Sequence, residues 1–202
     1  MRYRAVAAKH CRRFAVVDLA FTLKKESDWT VILACAVTPG HDLILLDLHR
    51  ERMEGPTIPR AIAAMYAKWS VSFVAVEANQ AQIVVVQQLR KMGLTVRALR
   101  ADADKLSRAI PATVRMEAGQ VFLPDSAPWV DTFVAELLAF PHGVHEDQVD
   151  CLAYAAIEVQ RFGPAAEPES YSELRDYAEK EAAAELWGQV DNPLLWMGDD
   201  EE

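Results

Sequence analysis

Short apolar runs separated by turn residues set the order of elements in which this chain can fold. Three of these runs come first and are predicted strands: residues 13–20, 29–38 and 42–48. Pro39-Gly40-His41 lies between the last two and is a turn signal suited to a hairpin. Three neighbouring strands with short links predict an antiparallel meander.

Helices and strands alternate after the meander. Apolar residues at helical spacing predict helices over residues 58–69 and about 81–92, and the second helix ends at Gly93. Strands over 71–77 and 94–99 alternate with them, which is typical of a parallel half-sheet with crossover helices. The rest of the body is predicted to contain helix 105–117 closed by Gly119, strand 121–123 stopped by Pro124, helix 128–140 and a last helix from about Cys151.

Composition limits the class of protein. A chain of 202 residues with 51% hydrophobic content is long enough for one sizeable core. No apolar run reaches the roughly 18 residues that span a bilayer, so we expect a soluble intracellular protein. Cys11, Cys35 and Cys151 have an odd count and no metal-like spacing, which argues against a disulfide framework and a zinc ribbon.

The charge is unevenly distributed. The formal net charge is -9, and most of the excess lies beyond the Gly163-to-Pro168 stretch, whereas residues 90–115 are rich in Lys and Arg. The composition change predicts a body over residues 1–162, followed by a linker and an acidic helical tail over residues 163–202. The basic stretch keeps a nucleic-acid partner open despite the overall charge.

Several acidic residues lie at the ends of predicted buried strands or at the start of a helix, where a charged group indicates a structural or functional role. Asp18 and Glu77 each end an apolar run that is predicted to be a buried strand, and residues 145–150 place three acids just before the last helix. A hard divalent cation needs oxygen ligands from several directions, which acids from separate elements can supply. The alternatives are a turn role for Asp18, a structural ion pair for Glu77 and helix capping by Asp147.

This order of elements is that of the ribonuclease H-like fold, with a mixed central sheet of about five strands, the first three antiparallel, flanked by helices. From about Phe14 to Gln160 the chain resembles the nuclease domain of the large terminase subunit of tailed phages. The segments that carry the resemblance are Val17-Asp18-Leu19-Ala20, Ser27-Asp28-Trp29-Thr30, Val76-Glu77-Ala78-Asn79, Lys105 with Arg108, Gly119-Gln120-Val121-Phe122-Leu123-Pro124, Glu136 to Phe140 and Pro141 to Asp150.

The resemblance implies a set of metal ligands. Asp18, Glu77 and an acid of the last cluster are expected to bind two magnesium or manganese ions and to cleave phosphodiester bonds. The family usually has two adjacent aspartates after the histidine, but here Glu146 takes the first place and Asp147 the second. We therefore assign Asp147 as the third catalytic metal ligand, beside Asp18 and Glu77. Asp150, on the same side of the helix, and Glu146 are further candidate ligands.

Other residues are candidates for contacts with DNA. Lys105 and Arg108 lie one turn apart at the start of a predicted helix and could contact phosphates, or could form a solvated helix face. His145 could orient a ligand or the attacked phosphate, or could be an ordinary hydrogen-bonded residue. Asp28 has either a turn role or a peripheral metal role.

The function that the resemblance implies is a metal-dependent DNA endonuclease that cuts concatemeric phage or prophage DNA during genome packaging. The sequence has no Gly-rich phosphate loop, so the expected partners, besides double-stranded DNA, are a separate packaging ATPase, a small terminase subunit or a portal. The chain could be an excised domain, a split-gene nuclease or a prophage fragment, acting in the cytoplasm of a bacterial host without membrane contact. A dimeric Holliday-junction resolvase and a non-catalytic docking module remain alternatives.

Overall fold

The computed structural model describes residues 1–3, 11–19, 29–77, 82–99 and 104–162. The strands are β1 (Arg2–Tyr3), β2 (Arg12–Asp18), β3 (Thr30–Val37), β4 (Leu43–Glu51), β5 (Val74–Glu77), β6 (Val96–Leu99) and β7 (Val121–Pro124). The helices are α1 (Ile58–Trp69), α2 (Ile83–Lys91), α3 (Lys105–Glu117), α4 (Val130–Ala139) and α5 (Asp147–Arg161). Within residues 1–162, every predicted helix and strand is present close to its predicted bounds.

One sheet of seven strands, in the order β1-β7-β4-β3-β2-β5-β6, forms the centre of the fold. Strands β2, β3 and β4 pair antiparallel, which confirms the predicted meander, and β5 and β6 continue parallel to β2. The expectation of about five strands was too low, because β7 joins β4 and β1 joins β7. At two residues, β1 is too short for its sequence to show a strand pattern.

Helices cover both faces of the sheet. Helices α1 and α2 pack on the face that carries Ala15 and Val17, whereas α3, α4 and α5 pack on the face that carries Phe14 and Val16. Side chains alternate between the faces of a strand, so residue 18 shares the second face with residues 14 and 16. This face is therefore the one on which Asp18 meets α5.

Two glycines end helices as predicted. Gly93 follows α2 with φ +85°, and Gly119 follows α3 with φ +69°. These left-handed conformations strain a residue that has a Cβ, which explains why glycine occupies both positions.

The predicted boundary at residue 162 and the acidic helical tail fall on residues 163–202, outside the described residues, and remain predictions. In the described part of the chain, none of the helices combines the length and the apolar character needed to cross a membrane.

Candidate functional site

The two acids that end strands are lateral neighbours in the sheet. Strands β2 and β5 are parallel, and their last recorded pair is Val17 with Val76. Asp18 and Glu77 follow directly on these residues and end their strands. Both therefore lie at the carboxyl end of the central strand pair, on the face covered by α5.

Two further acids come from the first turn of α5. Asp147 and Asp150 are the first and fourth residues of this helix, and their exposed fractions are only 9% and 7%. Glu146 occupies the N-cap position, and its side chain makes no capping hydrogen bond. Asp147 Oδ2 accepts a long hydrogen bond, 3.4 Å, from the backbone N–H of Trp29. Asp147 is thus the first residue of α5, one position after the N-cap residue.

The electrostatics of Asp18 join the four carboxylates into one group. Burial, together with the nearby charges of Asp150, Glu77 and Asp147, raises the pKa of Asp18 to about 8, while Lys105 acts in the opposite direction. Because Coulomb interactions fall with distance, this influence requires the other three acids to lie around Asp18. The structure therefore brings together Asp18, Glu77, Asp147 and Asp150, as the sequence predicted.

The two cations that are candidates for DNA contact, Lys105 and Arg108, pair with acids of this site in the structure. Lys105 Nζ lies 2.7 Å from Glu146 Oε2 and 2.8 Å from Asp150 Oδ2. Arg108 Nη2 donates to Asp150 Oδ1 at 3.1 Å. Burial alone would lower the pKa of Lys105, but its hydrogen bonds to Asp150 and Glu146 raise it overall. Helix α3 thus supplies positive charge to one side of the acidic cluster.

Sequence reasoning missed the role of Tyr154. Its hydroxyl donates to Glu77 Oε2 at 2.9 Å, and the guanidinium carbon of Arg108 lies 5.4 Å from its ring centroid. Tyr154 is four residues after Asp150, so both project from the same side of α5. That spacing was the available signal, but only the packing of α5 over β5 shows that Glu77 is within reach.

A second missed feature fixes the start of α5. The buried carboxylate of Glu136, from α4, accepts hydrogen bonds from the backbone N–H of Gln148 at 2.7 Å and from its side-chain amide at 2.5 Å. Arg50 Nη2 lies 3.3 Å from Glu136 Oε2. The carboxylate therefore connects α4, α5 and β4 directly behind Asp147.

The predicted residue His145 lies at the edge of the cluster, beside Trp29. The two rings meet edge to face with their centroids 6.4 Å apart. Asp28, the proposed turn or peripheral metal residue, lies outside the described residues. The structure therefore places His145 near the acids. The turn role and the peripheral metal role of Asp28 both remain predictions.

The donor set fits a hard divalent cation in its chemistry, since all four acids offer oxygen ligands. Within the described residues, however, no three or more His, Cys, Asp or Glu side chains are already arranged to hold a metal ion. The pairing of Asp150 and Glu146 with Lys105 gives a physical reason, because the ammonium occupies oxygens that a cation would need. Cation binding would require these side chains to rearrange.

Solved structures of large terminases share this fold. The chain is similar to the large terminase nuclease of thermophilic phage G20c with bound zinc, at 18% identity and a TM-score of 0.59, covering 73% of this chain and 81% of that one. It is also similar to the large terminase nuclease domain of Thermus phage P74-26, at 19% identity and a TM-score of 0.55, covering 72% and 78%. The large terminase of another thermophilic bacteriophage, in complex with ADP, matches at 12% identity and a TM-score of 0.58, covering 80% and 42%.

Fold and acidic site together define a ribonuclease H-like domain of the terminase class. Residues 15–158 match the terminase RNase H-like domain family, and the chain belongs to this family. No protein of curated function matches the sequence.

Proposed function

We propose that this protein is a metal-dependent endodeoxyribonuclease of the terminase type. The observation that carries the proposal is the convergence of Glu77, Asp147 and Asp150, from one strand and one helix, around the half-buried Asp18 at the end of β2. Mutual repulsion of buried carboxylates opposes folding, so a purely structural role gives such a cluster little reason to exist.

Two magnesium or manganese ions are the proposed cofactors, held by these four acids with Glu146 as a further candidate. The nuclease of phage G20c has been crystallised with zinc, with magnesium and with cobalt, which supports divalent-cation chemistry in this fold. When bound to these acids, a pair of such ions would supply an activated water and positive charge to offset the charge that develops on the phosphate and on the departing oxygen.

The chain's own residues prepare the site for that chemistry. Asp18 must lose its proton before it can act as a ligand, and its raised pKa makes this step dependent on pH. Tyr154 holds Glu77 through its hydroxyl, and Arg108 holds Asp150, so that both carboxylates have fixed orientations. Lys105 offsets part of the negative charge of Glu146 and Asp150.

The proposed substrate is double-stranded phage or prophage DNA, cut during genome packaging in the cytoplasm of the bacterial host. A nuclease of this kind needs little sequence preference, because phosphate contacts supply most of the affinity. A separate packaging ATPase, a small terminase subunit or a portal would choose where it cuts. The match to only 42% of the ADP-bound large terminase is consistent with a motor on another polypeptide or segment.

Cleavage of supercoiled plasmid by the purified chain, in manganese, in magnesium and in chelator, tests this proposal. Asp18→Asn and Asp147→Asn remove one proposed ligand each, and Asp131→Asn is the matched control because Asp131 is an exposed acid at the start of α4. We expect cutting in either metal but not in chelator, lost in the first two variants and unchanged in the control.

The opposite result would be a wild-type chain that cuts in none of the three conditions and gains no thermal stability from manganese. A protein that binds its metal is stabilised by mass action, so the absence of both effects would favour a docking module. Nicking that is strictly paired on four-way junctions, with intact duplex left uncut, would favour the resolvase.

A further inference from the structure

Two arginines stack on one tryptophan beside the acidic cluster. The guanidinium carbons of Arg50 and Arg52 each lie 4.7 Å from the ring centroid of Trp29, and His145 meets the ring edge. An arginine over an indole face is held by cation–π attraction, which limits the freedom of its side chain. Arg52 is exposed and directly follows the last residue of β4.

The register of the sheet places these residues next to the carboxylates. Val31 of β3 pairs with Asp18 on one side and with Arg50 on the other. Arg50 is therefore two strands from Asp18, or about 10 Å, which is about three base-pair steps of duplex DNA. The backbone N–H of Trp29 donates to Asp147, so the stack borders the Asp147 side of the cluster.

The exposed arginine of this stack differs from the basic residues of α3 in its ion pairing. Lys105 and Arg108 are paired with Glu146 and Asp150, whereas no ion pair involves Arg52 within the part of the chain that the structure describes. In the same part of the chain, three buried donors of the stack lack hydrogen-bond partners: Trp29 Nε1, Arg50 Nε and Arg50 Nη2, the last of which still forms an ion pair with Glu136. Buried donors without acceptors are uncommon in proteins, so the stack is a place where donors outnumber acceptors.

We propose that Arg52, carried by the Trp29 ring and supported by Arg50, binds a backbone phosphate of the duplex a few nucleotides from the bond that is cut. The planar fork of a guanidinium matches two phosphate oxygens, and the stack on Trp29 holds Arg52 ready for them. Arg50 acts as a positioning residue, because its ion pair with Glu136 ties the stack to the start of α5. This inference rests on the proposed function and names part of its substrate contact.

Equilibrium binding of a duplex of about 30 base pairs over a series of potassium chloride concentrations tests the inference. The parent is the full chain with Asp18→Asn, which removes cutting but leaves the proposed contact intact. Arg52→Ala is the test variant, and Arg60→Ala is the control because Arg60 is exposed in α1 on the opposite face of the sheet.

Loss of one phosphate contact lowers the salt dependence of log K by about 0.9 and weakens binding about five- to tenfold near 0.1 M salt. We expect this change in Arg52→Ala, with an unchanged melting temperature, and no change in Arg60→Ala. Equal slopes and affinities in the two variants would overturn the assignment of Arg52 and leave the nuclease proposal standing. A parent that binds no duplex at low salt would contradict both.

Discussion

Among the single side chains, Asp18 is the one on which the proposed cation site depends most. It lies at the end of a central strand with three other acids around it, and burial raises its pKa to about 8. An isolated aspartate ionises near pH 4, so at neutral pH the metal-free protein holds a proton on Asp18 that the unfolded chain would release. A bound cation would stabilise the ionised carboxylate of Asp18, so that the proton is released.

This difference predicts how stability depends on pH. Between about pH 4 and pH 8 the folded state binds more protons at Asp18 than the unfolded state, so the free energy of unfolding falls as pH rises. In chelator, urea unfolding at pH 6, 7 and 8 should show a decline that is weaker in Asp18→Asn. A decline of the same slope in both proteins would show that Asp18 titrates in its ordinary range.

Lys105 should weaken the binding of a cation, because its ammonium pairs with the carboxylates of Asp150 and Glu146. Lys105→Ala should bind manganese about fivefold more tightly, since a partly exposed pair is worth roughly 1 kcal/mol or less and the metal no longer displaces it. Calorimetric titration measures the change. Lys68→Ala is the control, because Lys68 pairs with Asp47 on the other side of the sheet. Weaker manganese binding in Lys105→Ala would mean that Lys105 instead holds the ligands in place.

At the scale of elements, α5 carries two of the candidate ligands, Asp147 and Asp150, and its position depends on Glu136. Glu136→Ala would leave the backbone N–H and the side-chain amide of the fully buried Gln148 without acceptors, at roughly 1–3 kcal/mol for each group. Thermal unfolding should show a drop of several degrees relative to Glu117→Ala, an exposed acid at the end of α3. Equal melting temperatures would contradict a structural role for Glu136.

The elements themselves could be predicted from the sequence, because apolar spacing and turn residues are local signals. The pairing of β2 with β5, which joins Asp18 to Glu77, followed from the order of elements and the family resemblance. The contacts of Lys105, Tyr154 and Glu136 could not be predicted, since each depends on how two helices pack on the sheet. For Lys105 the sequence left phosphate contact and a solvated helix face open, because a basic residue at a helix start gives no sign of the carboxylates across from it.

For the whole molecule, the distribution of charge suggests a way to control DNA binding. Residues 163–202 contain twelve acids and two bases, a net charge of -10, so residues 1–162 carry +1 of the total -9. A segment of that charge repels DNA phosphates at low ionic strength. We therefore treat the tail as a candidate inhibitor of DNA binding.

Removal of residues 164–202 should then tighten duplex binding at about 50 mM salt, and the gain should shrink at about 200 mM as screening increases. Fluorescence anisotropy with a labelled duplex measures both values. A full-length chain in which neutral residues replace the tail acids should behave like the truncated chain. Equal affinity of the intact and truncated chains at low salt would show that the tail does not inhibit DNA binding.

The central claim is that acids from separate elements form one divalent-cation site. Calorimetric titration of manganese into the metal-free chain at pH 8, beside Asp18→Asn, tests it most directly. We expect saturable binding by the wild-type chain that is lost or weakened at least tenfold in the variant, because Asp18 lies at the centre of the ligand set. Absence of saturable binding in the wild type, or equal binding in the two proteins, would contradict it.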